Sequence, residues 1–176
     1  MEPVTEPSTA GAATDPDWTT YEIPEASLAV TYPSSWARST DPLMPNLVDP
    51  KELVALSTFP ARPGGKNCAH MPENAIEDMG PTDALVLIEE RVGDSEDDAV
   101  APADYPRRPA QFGPGTGYPS EAVDCLDQRK EFFDRLIPFS DAGRHFYAYV
   151  ALGAETPTEV SAEAWTILDR LEVERK

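Results

Sequence analysis

The chain has 176 residues and sets 14 Lys and Arg against 32 Asp and Glu, a formal net charge of −18. That balance argues against sequence-independent binding to phosphate backbones, which needs a basic patch to displace counterions, and it disfavours anionic lipid surfaces for the same reason. Leu, Ile, Val and Phe together number only 34, but the shortage is concentrated in residues 1–17 and 93–110, and what remains is enough for one ordinary core.

No apolar run is long enough to cross a bilayer as a helix, so direct membrane insertion is not expected. The N-terminus also lacks the basic start and apolar stretch of a signal peptide. Glu2 to Asp17 reads EPVTEPSTAGAATDPD, a Pro, Thr, Ala and acid mixture with no apolar face. It reads as a tether of the kind that follows a signal or anchor, which places the protein outside the cytoplasm and makes Met1 an internal boundary or an added start.

From Trp18 the pattern becomes β-rich. WTTYEI (18–23) and LAVTY (28–32), separated by Pro24-Glu25-Ala26-Ser27, predict a hairpin. Pro33-Ser34-Ser35 stops the second strand, and Trp36 is expected to cover one end of the sheet. Prolines at 42, 45 and 50 predict an ordered loop. LVALSTF (53–59) reads as a buried strand ending at Pro60, followed by a turn-rich Arg62 to Lys66 that delivers Cys68. Pro72 to Met79 predicts a short helix with Ala75, Ile76 and Met79 on one face, closed by Gly80-Pro81. ALVLIEERV (84–92) is apolar on both faces in its first half, the mark of a central strand.

Residues 93–119 are expected to form an irregular acidic, Pro- and Gly-rich insertion. Regular structure resumes with a strand over 128–139, a Ser140 to Gly143 turn and a returning strand over 144–152. Phe146, Ala148, Val150 and Leu152 should line the buried face, with Tyr147 and Tyr149 opposite. The last element is a helix, with Thr156-Pro157-Thr158-Glu159 fitting a capping box and Val160, Ala164, Ile167, Leu168 and Leu171 forming an apolar stripe. The expected fold is therefore α+β, one domain over 18–173, with an antiparallel sheet flanked by the C-terminal helix that packs on it.

Chemistry is sparse. The only histidines are His70 and His145, and neither a G-x-S-x-G elbow nor a P-loop occurs. Cys68 and Cys125 admit three readings. One is a disulfide, which in the loop-entropy model would stabilise by about 4 kcal/mol. The second is a pair of free thiols. The third is a tetrahedral zinc site completed by His70 and His145, which would make the protein a metal-binding domain or metal-dependent enzyme. The tether favours the disulfide, and no cofactor is expected. Asp94 to Asp98 is rich in carboxylates but lacks the ligand spacing of a calcium loop. Aromatic and Arg side chains are the usual anchors of interfaces, so Tyr105, Arg107, Arg108, Phe112 and Tyr118, in a segment with no core face of its own, form a candidate interaction surface for a protein partner. The same residues could instead fold back over the sheet.

The Tyr32-Pro33-x-x-Trp36 turn after the opening strands, the late long hairpin and the closing Ile167-Leu168-Asp169-Arg170-Leu171-Glu172-Val173 together resemble the PsbP-like superfamily. That superfamily includes photosystem-associated proteins and bacterial extracytoplasmic proteins of the DcrB and LpqN kinds. The resemblance implies an α/β/α arrangement around an antiparallel sheet and a non-catalytic accessory or binding role.

Overall fold

The computed structural model describes residues 17–68, 71–93 and 105–176, with the backbone alone for residues 67 and 68. Trp18–Ile23 (β1) pairs antiparallel with Leu28–Pro33 (β2) around a turn at Pro24–Ala26, as the pattern predicts. Then come Ala37–Arg38 (β3), Lys51–Ser57 (β4), Asn67–Cys68 (β5), Met71–Pro72 (β6), the helix Glu73–Asp78 (α1) and Ala84–Glu90 (β7). Phe132–Asp141 (β8), Arg144–Gly153 (β9), the helix Thr158–Asp169 (α2) and Glu172–Val173 (β10) complete the chain. The fold is mixed α+β, with a three-stranded antiparallel sheet ordered β1-β2-β10 and a five-stranded one ordered β3-β4-β7-β9-β8.

The β8–β9 hairpin turns on Ala142 and Gly143, both left-handed at φ 51° and 76°. Two consecutive left-handed residues make the short turn whose twist matches that of the flanking strands. β7 lies at the centre of the larger sheet, and all seven of its residues are buried. On one face, Val86 and Ile88 join Ile137, Phe139, Phe146, Ala148 and Val150, and this layer packs against Ile23, Leu28 and Val30 of the smaller sheet and Ala164, Ile167 and Leu168 of α2. On the other, Leu85, Leu87, Tyr147, Tyr149 and Ala151 are covered by Leu43, Met44, Phe59, Ala75, Ile76 and Met79. The tyrosines expected opposite the buried face of the hairpin thus belong to a second core. Trp36 is buried, and its Nε1 donates to Glu163 Oε2 at 2.8 Å, tying the end of the sheet to α2.

The capping box does not form. Pro157 is the N-cap residue, without a side-chain hydrogen bond. The Thr156 hydroxyl instead donates to the carbonyls of Asp83 at 2.8 Å and Gly153 at 2.9 Å, so it fastens the entry to α2 onto the chain on either side of the central strands.

Basic side chains satisfy the carbonyls left open where elements end. Lys130 Nζ donates to Ile76, Glu77 and Met79 at the close of α1. Arg144 donates to the carbonyls of Ala26, Ser27 and Glu174 and, at 2.7 Å, to Glu90 Oε1. Burial alone would raise the Glu90 carboxyl, but hydrogen bonds from Arg144 and Lys176 outweigh it and hold the group below its ordinary value.

Candidate binding surface

Residues 105–118 wrap around the free edge of β8. Arg108 N donates to Ser140 O and Ser140 N to Pro106 O, while Tyr118 and Leu136 exchange both of their backbone hydrogen bonds. The strap therefore crosses the edge twice, and its aromatic side chains reach both faces of the sheet. Tyr105 lies on the second-core face, stacked on His145 at 4.8 Å and edge-on to Tyr147 at 5.3 Å. Phe112 lies on the first-core face, edge-on to Phe139 at 5.5 Å, and its N–H donates to Asp169 Oδ1 at 2.7 Å.

The five residues expected to form one interaction surface are thus divided. Tyr105 and Phe112 are only 6% and 3% exposed, because the outer strand of a sheet covered on both faces needs apolar side chains to close each core. Arg108 is engaged at the C-terminal end of α2, donating to Leu168 O, Asp169 O and Leu171 O and pairing with Asp141 at 3.0 Å. Tyr118 is 46% exposed and Arg107 is open to solvent. These two line a recess of about 380 Å³ whose walls are Pro106, Pro109, Ile137 and Pro138. Gly117 allows the strap to lie this close: its φ is +74°, and a Cβ there would sit 2.4 Å from Leu136 O.

Of the zinc set, His70 and the Cys68 side chain lie outside the described residues, as does the acidic run Asp94 to Asp98. His145 is stacked on Tyr105. Cys125 ends the short turn Ala122–Cys125 and is not a free thiol. Among the described residues, the side chains of ligand type near enough to share an ion are Glu73, Glu77 and Asp127, a group that includes neither Cys125 nor His145. A cation already sits there, since Lys66 Nζ is 2.9 Å from Asp127 Oδ1 and 3.5 Å from Glu73 Oε1.

Two further polar clusters lie within the second core, and sequence reasoning missed both. Asp134, 8% exposed, accepts from Ser120 N, from the Ser120 hydroxyl and from Tyr149 OH. Burial raises the Tyr149 phenol, and the set pins β8 to the preceding loop. At the other end of the face, Glu52 accepts from Leu43 N at 2.9 Å and Met44 N at 3.0 Å, and Asp49 accepts from Arg91, Val92 N and Gly93 N. Glu89 stands opposite Glu52 on one side and Tyr147 on the other. It is 1% exposed, with both oxygens lacking a hydrogen-bond partner among the described residues. Burial, and then the nearby Glu52 charge, push its carboxyl up to about 9, so it is a neutral acid at pH 7. An apolar strand ending in two adjacent acids, Glu89-Glu90, was the available signal: period-two alternation sends them to opposite faces, and a sheet covered on both faces buries both.

No family model matches this chain, and neither curated proteins nor solved structures yielded a match.

Proposed function

We propose that this protein is a non-catalytic, extracytoplasmic binding or accessory module that engages a protein partner through the Arg107–Tyr118 recess. The observation carrying this reading is the recess itself, a concave site on a sheet edge where an exposed Arg and a half-exposed Tyr stand among prolines. Those are the residue types that anchor interfaces. The buried aromatics of the strap hold the pair on a rigid support, which lowers the ordering cost of binding. A layered arrangement with helices over both sheet faces, as in the PsbP-like superfamily, is part of the same proposal. The two core clusters, one containing residues of α2 and the other residues of α1, support it.

The extracytoplasmic placement rests on the tether-like residues 1–17 and predicts a disulfide between Cys68 and Cys125, and the absence of a free thiol at Cys125 supports that pairing. Intact mass of the unreduced protein after alkylation tests it. The pairing requires that neither cysteine react before reduction and both react after it, and two alkylated thiols at the outset would remove the argument.

Binding is tested by affinity capture from the native envelope or medium with the full chain and with an Arg107→Glu, Tyr118→Ala double variant. A partner held by the parent and lost by an equally stable variant supports the recess. Equal retention by both would refute it.

A further inference from the structure

The edge of β8 states what the recess can accept. Leu136 and Ser140 both direct their backbone groups outward to the strap. Pro138 lies midway between them, so the alternation of an antiparallel strand points its carbonyl outward as well, into the gap the strap leaves open. Proline has no N–H, which is why it is tolerated at this edge position, and why β8 presents one backbone acceptor and no backbone donor to the gap. Arg107 makes no ion pair or side-chain hydrogen bond among the described residues, in a chain with 32 carboxylate side chains. The neighbouring Arg108, by contrast, is engaged four times over. The walls are pyrrolidine rings, Ile137 and the open face of Tyr118.

From this we infer that the recess binds an extended peptide segment of a partner protein in which an acidic residue is flanked by prolines. The acidic residue's N–H donates to Pro138 O, its carboxylate pairs with Arg107, and the flanking rings rest on Tyr118 and Pro106. This inference rests on the binding reading above and gives it a ligand class. Three features select that class. A single acceptor on the protein edge matches a segment with a single N–H, since flanking prolines leave no further donor unsatisfied. Such a segment is already extended in water, so little conformational freedom is lost on docking. The local charge is complementary: the Arg107 guanidinium, without an ion pair among the described residues, stands at the recess to face the carboxylate.

The experiment titrates acetyl-Pro-Glu-Pro-amide into the ¹⁵N-labelled full chain and follows the backbone amides of Arg107, Gly117 and Tyr118. A Pro-Gln-Pro peptide is the control. Saturable shifts confined to the strap are expected, with the Gln peptide about tenfold weaker, the difference a charge-assisted hydrogen bond makes. Arg107→Gln should erase the preference for Glu over Gln, Arg107→Lys should restore part of it, and Tyr118→Ala should weaken both peptides. Equal binding of the Glu and Gln peptides, or shifts unaffected by Arg107→Gln, would overturn the inference. If the peptide fails while partner capture still depends on Arg107 and Tyr118, the ligand class is wrong and the binding reading stands. If capture is insensitive to both side chains as well, both fall.

Discussion

Replacing Glu89 with Gln should stabilise the protein, and the gain should depend on pH in a specified way. The carboxyl has an ordinary value of 4.5 and is pushed up to about 9 in the fold by burial, with the Glu52 charge adding to it. A raised carboxyl makes the folded state hold a proton that the unfolded chain releases. Its contribution is complete below pH 4.5 and is lost progressively as pH climbs from 4.5 to 9. The slope is about 1.4 kcal/mol per pH unit for a single proton, so about 3 kcal/mol has been lost by pH 7 and less than about 1 kcal/mol by pH 5. Gln keeps the shape and the neutral polarity of the protonated acid but has no proton to lose. Urea unfolding of both proteins at half-unit steps from pH 5 to pH 8.5 should give stability curves that nearly meet at the acid end and diverge steadily toward the alkaline end. Parallel curves, or a variant less stable at pH 8, would show that Glu89 is ionised in the fold or reached by solvent, and the electrostatic reasoning would fail.

Arg144→Met should lower stability by about 3 to 5 kcal/mol in denaturant titrations, since it strips Glu90 of its buried partner and opens three carbonyls. Glu90 is held below its ordinary value in the parent, so it contributes stability that is lost as pH falls through its folded value; that acid-side loss should shrink in the variant. Phe112→Ala should lower stability by about 3 to 5 kcal/mol, as removal of a core ring does, and a Tyr105→Ala, Phe112→Ala double variant should show a large fall in melting temperature. An unchanged melting temperature would return both rings to the surface.

The elements were largely legible because alternation and turn chemistry are local signals. Ile137 and Phe139 on one strand and Phe146, Ala148 and Val150 on the next were readable as one face, and they share one core. Hidden from a local reading was the fate of the opposite face. Tyr147 and Tyr149 look half-polar in isolation, and only the covering by Leu43, Met44 and α1, distant in sequence, makes them core. The strap shows the same limit. Tyr105, Phe112 and Tyr118 are equivalent as letters, but Tyr105 and Phe112 are taken to opposite faces by a crossing of the sheet edge that no periodicity announces, while Tyr118 remains outside. Thr156 matched a capping motif, but the helix starts one residue later with Pro157 at the N-cap, and the hydroxyl donates to the Asp83 and Gly153 carbonyls instead. β10, two residues long, is too short to carry a pattern at all.

Synthesis from the N-terminal end has a temporal consequence in this fold. Leu28 is flanked by Ile23 on β1 and by Val173 on β10, and Glu174 N closes onto Ser27 O, so the β1–β2 hairpin is completed by a strand that emerges long after it. At ordinary elongation rates of roughly 5 to 20 residues per second, β2 waits on the order of 7 to 30 s for that strand. During the wait Leu28 and Val30 have no α2, β8 or β9 to cover them, and both edges of the early hairpin are available to foreign strands. The nascent hairpin is thus open and adhesive until β10 has emerged. Truncation by even the last few residues should accordingly be felt first as aggregation during production, before any loss is visible in the equilibrium stability of whatever folds.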